Sequence, residues 1–459
     1  MKNLFYKILF FSIIALQCLL LFQTVTKHFE LKPLTGVTTE VKKPKLTLKT
    51  YIDGSYQSDL EAFCRQELGF REWFIRIYNQ YLWSCYKKTT NKTIMVGKDD
   101  WLFEEVYVRD YYESSMYEYT SDTAEMRKIF ETEALRLWKV QELLKEHNIH
   151  IFVNITPSKD MIFPEYLPEN VSYTRPVGLR AYDFYKKRFD ELGIHYIDNV
   201  AIFKELKDSV DYQLFTKTGA HWSNIASVYV FDSIVRYMET IGNQKLNHLE
   251  ISEKYHAETR KPDDDLEQLL NLYFPIKAPE NYYTTVNVTE DSTIVKPYMT
   301  VIGDSYHWNF IFNIPLLKIF QKVPYWFYNS TIYEDDEHQT TLDLDFEKEL
   351  MRNDYIMLSY GSCALYRLGS YFLPKALVYL CYDQSTIDSV AEDIILSFKN
   401  DPKEYAVMLE IAKEQNKSVD RVMYDNAIYM ITMNPENYFE ELKGNQLPVS
   451  RNKDLKRTK

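Results

Sequence analysis

Residues 301–308, reading VIGDSYHW, narrow the possible folds more than any other stretch of this chain. An apolar run over 298–302 breaks at Gly303 into Asp304 and Ser305, the pattern of a strand that hands a serine to a sharp turn at its carboxyl end. In open α/β sheets ligands sit outside the carboxyl ends of the strands, so this serine falls where chemistry is expected. The same residues also suit a plain strand-to-helix turn, with Ser305 or Asp304 capping a helix suggested over 310–320. A serine hydroxyl is a weak nucleophile at neutral pH and needs a base to take its proton. Residues 217–223, KTGAHWS, offer His221 beside Trp222, just ahead of an apolar helical run; a histidine bonded to backbone at a helix start is the alternative.

The rest of the chain supplies a sheet for this turn. Helical spacing over 121–147 is followed by a short β-branched strand at 149–155 that ends in a loop, Thr156-Pro157-Ser158-Lys159. A helix at 180–192, a strand at 194–197, a short helix at 200–206 and an amphipathic helix at 226–237 come next, and 355–359 reads as a further strand. Alternation of this kind predicts an α/β fold, with a parallel sheet flanked by helices. Before it, 93–103 read as a hairpin turning at 97–100, and a helical pattern from Leu60 to Leu82 is interrupted near Gly69. After it, 385–442 read as three helices, with breaks at Asp401-Pro402 and Asn434-Pro435. The acidic run Asp263-Asp264-Asp265 reads as a solvated loop rather than a metal site, since no ligand of another type lies near it.

Lys2 and Lys7 precede an apolar run over 8–25, long enough to cross a bilayer core and without a small-x-small cleavage pattern after it. A large body following such a short head favours a signal anchor whose C-terminal part is translocated. The chain of 459 residues therefore divides into an anchor at 1–26, a stalk and juxtamembrane helix at 27–92, an α/β domain at 93–384 and a C-terminal helical appendage at 385–459. A net charge of −12 argues against nucleic acid as a partner. The five cysteines show no C-x-x-C spacing; the four beyond the anchor either pair in an oxidising compartment or remain buried thiols. No metal or cofactor is expected.

Several stretches, in order, resemble the SGNH-hydrolase-like proteins of the AlgX/AlgJ type and their DHHW-type relatives. These are LGFR at 68–71, VGKDDWLF at 96–103, PSKDMIFPEYLP at 157–168, TGAHW at 218–222 and GDSY at 303–306. The resemblance implies O-acetylation of a bacterial exopolysaccharide, with Ser305 as nucleophile and His221 as its base. It also implies a polysaccharide acceptor, a membrane-bound acyltransferase as acetyl donor, and a single-pass protein of the inner membrane whose body faces away from the cytoplasm. Trp222 and the amide of Asn154 are supporting candidates, the latter as an oxyanion donor. The family motif usually carries an aspartate two residues before the histidine, where this chain has Gly219. Three readings follow. Asp198 or Asp304 supplies the missing carboxylate, a backbone carbonyl orients His221, or the site only binds, as a noncatalytic accessory would. An acyl esterase of the same fold is a further alternative. His307 is a second potential base, but two residues beyond Ser305 on a helix it would face away.

Overall fold

The computed structural model describes residues 2–36, 41–112, 122–169, 171–173, 178–334, 337–341, 344–451 and 455. Helix α1 (Lys2–Thr26) is exposed along most of its length, and its segment Leu4–Thr26 is long and apolar enough to cross a membrane. Helices α2 (Ser55–Glu67) and α3 (Arg71–Tyr86) are parted at Leu68–Phe70, where Phe70 has positive φ. The hairpin β1 (Ile94–Val96) and β2 (Leu102–Glu104) follows, antiparallel as its Gly-Lys-Asp-Asp turn requires.

The centre of the fold is a seven-stranded sheet. Its strands are β3 (His150–Thr156), β4 (Tyr196–Asp198), β5 (Met299–Gly303), β6 (Tyr325–Phe327), β7 (Thr331–Glu334), β8 (Glu337–Thr340) and β9 (Tyr355–Gly361). They are ordered β8-β7-β6-β5-β9-β3-β4. The pairs from β6 to β4 are parallel, and β7 and β8 add an antiparallel edge. The helices used below are α4 (Thr123–Lys145), α5 (Ala181–Leu192), α6 (Asn199–Leu206), α7 (Asn224–Gly242), α8 (Asp265–Leu270), α9 (His307–Asn313), α10 (Phe372–Cys381), α11 (Gln384–Asn400), α12 (Pro402–Gln415) and α13 (Val419–Met433).

Both faces of the sheet are buried, so its inner strands are apolar on both sides. Ile151, Val153, Ile155, Ile356 and Leu358 point into a core shared with α4, α5 and α10 to α13. Phe152, Met299, Val301 and Met357 point the other way, toward α7 and α9. The period-two split is what a strand imposes. The C-terminal helices are tied to α4 by Arg136, which pairs with Glu133 and Glu436. No disulfide joins any two cysteines among the described residues.

Three sequence expectations shift. The helix read over 310–320 is α9 and stops at Asn313, because Pro315 cannot continue it; a separate 3-10 turn covers Leu316–Lys318. The edge strands β6, β7 and β8 were not read from the sequence. Residues 33–36 of the expected stalk are held against the body rather than free, Thr35 N–H donating to Asn271 Oδ1 at 2.8 Å.

Candidate active site

Chain order places the site. From β3 the chain moves outward to β4, whereas from β5 it moves the opposite way to β6, with β9 between β3 and β5. The carboxyl ends of β3, β9 and β5 therefore flank a topological switch point, where a crevice opens in such sheets. Ser158 and Ser362, just past β3 and β9, are hydrogen-bonded at 2.8 Å across it.

Ser305 sits in the turn that follows β5, two residues past Gly303. Gly303 lies opposite Ser359 of β9, and a Cβ at 303 would come 2.1 Å from the Ser359 carbonyl oxygen. Only glycine lets the two strands stay paired to the point where the turn begins. The next peptide is pinned: Asp304 N–H donates to that same carbonyl at 3.0 Å. The Asp304 carboxylate accepts from Gly361 N–H at 2.5 Å and Tyr306 N–H at 3.2 Å. Burial pushes the Asp304 carboxyl up to about 6, against the pull of these backbone donors. The carboxylate braces the turn and is not bonded to His221. Ser305 itself remains partly open, and its own N–H has no hydrogen-bond partner among the described residues.

His221 arrives from the opposite side. Phe215 and Trp222 form an isolated bridge, Ser223 N–H donates to Leu214, and Ser223 Oγ caps α7. Trp222 is fully buried among Phe203, Tyr306 and Phe310, where it anchors the loop and does not face solvent. Lys159, also fully buried, fastens the same loop from below: its Nζ donates to the carbonyls of Leu102 at 2.8 Å, Lys217 at 3.1 Å and Gly219 at 2.8 Å. Burial pulls the Lys159 ammonium well below its ordinary pKa, while the ring faces of Trp101 and Phe103 lie about it.

The imidazole bridges two groups. His221 Nε2 lies 2.7 Å from Ser305 Oγ, and Nδ1 lies 2.7 Å from Asp265 Oδ2. A carboxylate only accepts, so Nδ1 carries the ring proton and Nε2 is the acceptor that faces the serine hydroxyl. Asp265 Oδ1 is held in turn by the N–H groups of Ala220 and Leu266, each at 2.8 Å. Burial disfavours the imidazolium, but the charge and hydrogen bond of Asp265, with Glu104 and Asp304 beyond, outweigh it and hold His221 above its ordinary pKa.

The carboxylate that orients His221 is thus Asp265, from the run read as a solvated loop. Gly219 explains how it gets there. A Cβ at 219 would lie 2.5 Å from the Asp263 carbonyl oxygen and 2.7 Å from Thr216 Oγ1. The space that a side chain at 219 would fill is occupied by the backbone that delivers Asp265. Asp263 is buried rather than solvated, its carbonyl accepting from Thr216 and its carboxylate from Asn224 N–H.

The other candidates are not joined to the pair. Asp198 closes β4, three strands from β5 and so about 14 Å across the sheet. It caps α6 and binds Lys186 at 2.7 Å. Asn154 is fully buried, its amide bonded to Ser359 Oγ at 3.0 Å and Asn199 at 2.8 Å, so it knits the sheet. The His307 ring is fully buried, neither of its nitrogens has a hydrogen-bond partner among the described residues, and burial pulls it down to about 3. Sequence reasoning missed Glu104, at the end of β2. Burial raises its carboxyl and the charge of His221 draws it back. Its only signal was a place after the WLF of the hairpin.

A serine, a histidine and an acid thus converge at the switch point of a mostly parallel, helix-flanked α/β sheet. Residues 94–315 match the family model described as "SGNH hydrolase-like domain, acetyltransferase AlgX". Similar solved structures include the O-acetyltransferase domain of Pseudomonas putida AlgJ, at 17% identity and TM-score 0.38 over 60% of this chain and 92% of that one. Pseudomonas aeruginosa AlgX aligns at 15% identity and TM-score 0.39, over 62% and 66%. Bacillus cereus PatB1 aligns at 14% and 0.36, over 61% and 100%. No curated protein matches.

Proposed function

We propose that this protein is an O-acetyltransferase that acts on a cell-surface or exported polysaccharide. The observation that carries the reading is the unbroken relay Ser305–His221–Asp265, with 2.7 Å at each step. In the first half-reaction His221 Nε2 takes the Ser305 proton as Oγ attacks the acetyl carbonyl carbon. The tetrahedral intermediate collapses as His221 returns the proton to the leaving group, and an acetyl-serine remains. In the second, a sugar hydroxyl gives its proton to His221 as its oxygen attacks the acetyl carbon, and His221 passes that proton to Ser305 Oγ as the acyl-serine bond breaks. Each half passes through an oxyanion, for which the unpartnered Ser305 N–H is a ready donor; one such donor is worth about 3 kcal/mol of transition-state stabilisation.

The division of labour follows the chain: an anchor at 1–26, a stalk and juxtamembrane helix at 27–92, the acyl-transfer domain at 93–384, and a helical appendage at 385–459. The body lies on the extracytoplasmic side of a bacterial inner membrane, where a membrane-bound acyltransferase supplies acetyl. Gly219 no longer favours a noncatalytic accessory, because Asp265 stands where the absent carboxylate is needed.

The test uses the full-length protein with a serine-directed fluorophosphonate, then with an activated acetyl ester in the presence and absence of oligosaccharide. Labelling at Ser305 that vanishes in His221→Ala, and acetyl on sugar, are the expected results. Free acetate alone, at equal rate with and without sugar, would make the protein an esterase. No labelling at any pH would reduce it to a binding protein.

A further inference from the structure

Helix α3 is amphipathic in the unusual sense. Its buried face is formed by Arg76, Asn79 and Trp83, while Trp73, Phe74, Ile77, Tyr78 and Tyr81 point outward, 45% to 56% exposed. The outward set follows i, i+1, i+4, i+5, i+8 and so makes one continuous stripe. A contiguous aromatic face of this size marks a contact that water does not satisfy.

The polar face has a definite job. Arg76 donates to the carbonyls of Pro33 at 2.8 Å and Leu272 at 3.3 Å, and Asn79 Nδ2 to that of Leu270 at 2.8 Å. Gln80 Oε1 accepts from Phe274 N–H at 2.9 Å. The inner side of α3 therefore grips the end of α8, the short helix whose first residue is Asp265.

Position decides what covers the outer side. The last turns of α1 pack on the start of α3: Gly69 N–H donates to Thr24 Oγ1 at 2.8 Å, and Lys27 pairs with Glu67 at 2.8 Å. Phe29, Phe70 and Trp73 continue the contact, with ring centroids 5.6 Å and 5.8 Å apart. The 23-residue segment Leu4–Thr26 of α1 spans about 35 Å, slightly more than a hydrocarbon core of about 30 Å, so this junction falls in the headgroup region. Tryptophan and tyrosine are the residues that settle there, and Lys27, Lys32, Lys42, Lys43, Lys45 and Lys49 on the neighbouring segment suit anionic headgroups.

We propose that α3 lies along the bilayer surface with its aromatic stripe among the lipid headgroups, so that its polar side holds α8 and Asp265 at a set height above the membrane. This rests on α1 crossing the bilayer, and the test separates the two claims. Single-cysteine variants Ile14→Cys, Tyr78→Cys and Leu396→Cys, with the five native cysteines replaced by alanine, are spin-labelled in full-length protein. They are reconstituted in nanodiscs of phosphatidylglycerol and phosphatidylcholine. Accessibility to oxygen is compared with accessibility to a water-soluble nickel chelate. The expected result is an oxygen-to-nickel ratio at 78 several-fold above that at 396 and below that at 14. If 14 reads lipid while 78 matches 396, the surface helix is refuted and the anchor stands. If 14 also reads water, the anchor fails and the proposal falls with it. Spin–spin broadening at 78 only in discs holding two copies would assign the stripe to a second copy and equally overturn it.

Discussion

The sharpest test of the site is Asp265→Asn. The substituted amide keeps its oxygen for the N–H groups of Ala220 and Leu266, both 2.8 Å from Asp265 Oδ1, so the loop should hold. Its NH2 then faces His221 Nδ1 in place of Oδ2 and obliges that nitrogen to accept. The ring proton moves to Nε2, where it points at Ser305 and cannot receive the hydroxyl proton. Loss of a charge-assisted hydrogen bond costs about 1.5–3 kcal/mol, or about 10- to 150-fold in rate. Tautomer inversion adds to this, toward the loss of about 10⁴ seen for a buried protease acid. Here the acid and imidazole side chains are 29% and 13% exposed, so water competes with the amide. A fall in turnover of about 10³ is therefore expected, with little change in KM.

The assay is acetyl release from an activated ester, with the Ser305 acyl-enzyme followed by mass spectrometry. The pH profile gives an independent reading. Activity needs neutral His221, and because Asp265 outweighs burial to raise that group, the acid limb should lie above the ordinary histidine value of about 6.5. Removing the negative charge favours the neutral ring, so the limb should move to lower pH in the variant. Wild-type turnover and an unmoved limb in Asp265→Asn, with His221→Ala inactive, would refute the assignment.

Further outcomes follow from the same geometry. Gly219→Asp, which restores the usual family residue, should abolish acyl-enzyme formation rather than improve it, since its Cβ would meet the Asp263 carbonyl at 2.5 Å; undiminished acylation would contradict the packing. Lys159→Met leaves the carbonyls of Leu102, Lys217 and Gly219 without their donor and should destabilise by about 3 kcal/mol or more, read as a lower denaturant midpoint. An unchanged midpoint would show that the lysine does not secure the histidine loop. His307→Leu removes two ring nitrogens that have no partner and should leave both turnover and pH profile unchanged; a shifted profile would return His307 to the list of bases.

The sheet was legible in the chain because strands buried on both faces leave short β-branched runs, and 149–155, 298–302 and 355–359 each became a strand within one or two residues at either end. The Asp-Pro break likewise separated α11 from α12 and the Asn-Pro break ended α13, since proline stops a helix by local sterics. The break between α12 and α13 at Asn416 carries no proline and was not read, and 435–442 forms only 3-10 turns. The edge strands β6 to β8 were missed because their pairing depends on β5 standing beside them, and no local period announces a neighbour.

By itself the sequence singled out the serine and histidine that the fold brings together, for a glycine-broken strand and a histidine before a helix are local patterns that steric and capping rules write into adjacent residues. Only the tertiary structure decided the acid. Asp265 lies 44 residues from His221, and within its own stretch it cannot be told from a solvated carboxylate. Its role comes from Gly219, whose missing side chain admits the Asp263 backbone, and from α3 and Lys159, which hold the two loops together. Those are contacts between distant segments, and a contact of that kind has no signature until the chain has closed around it.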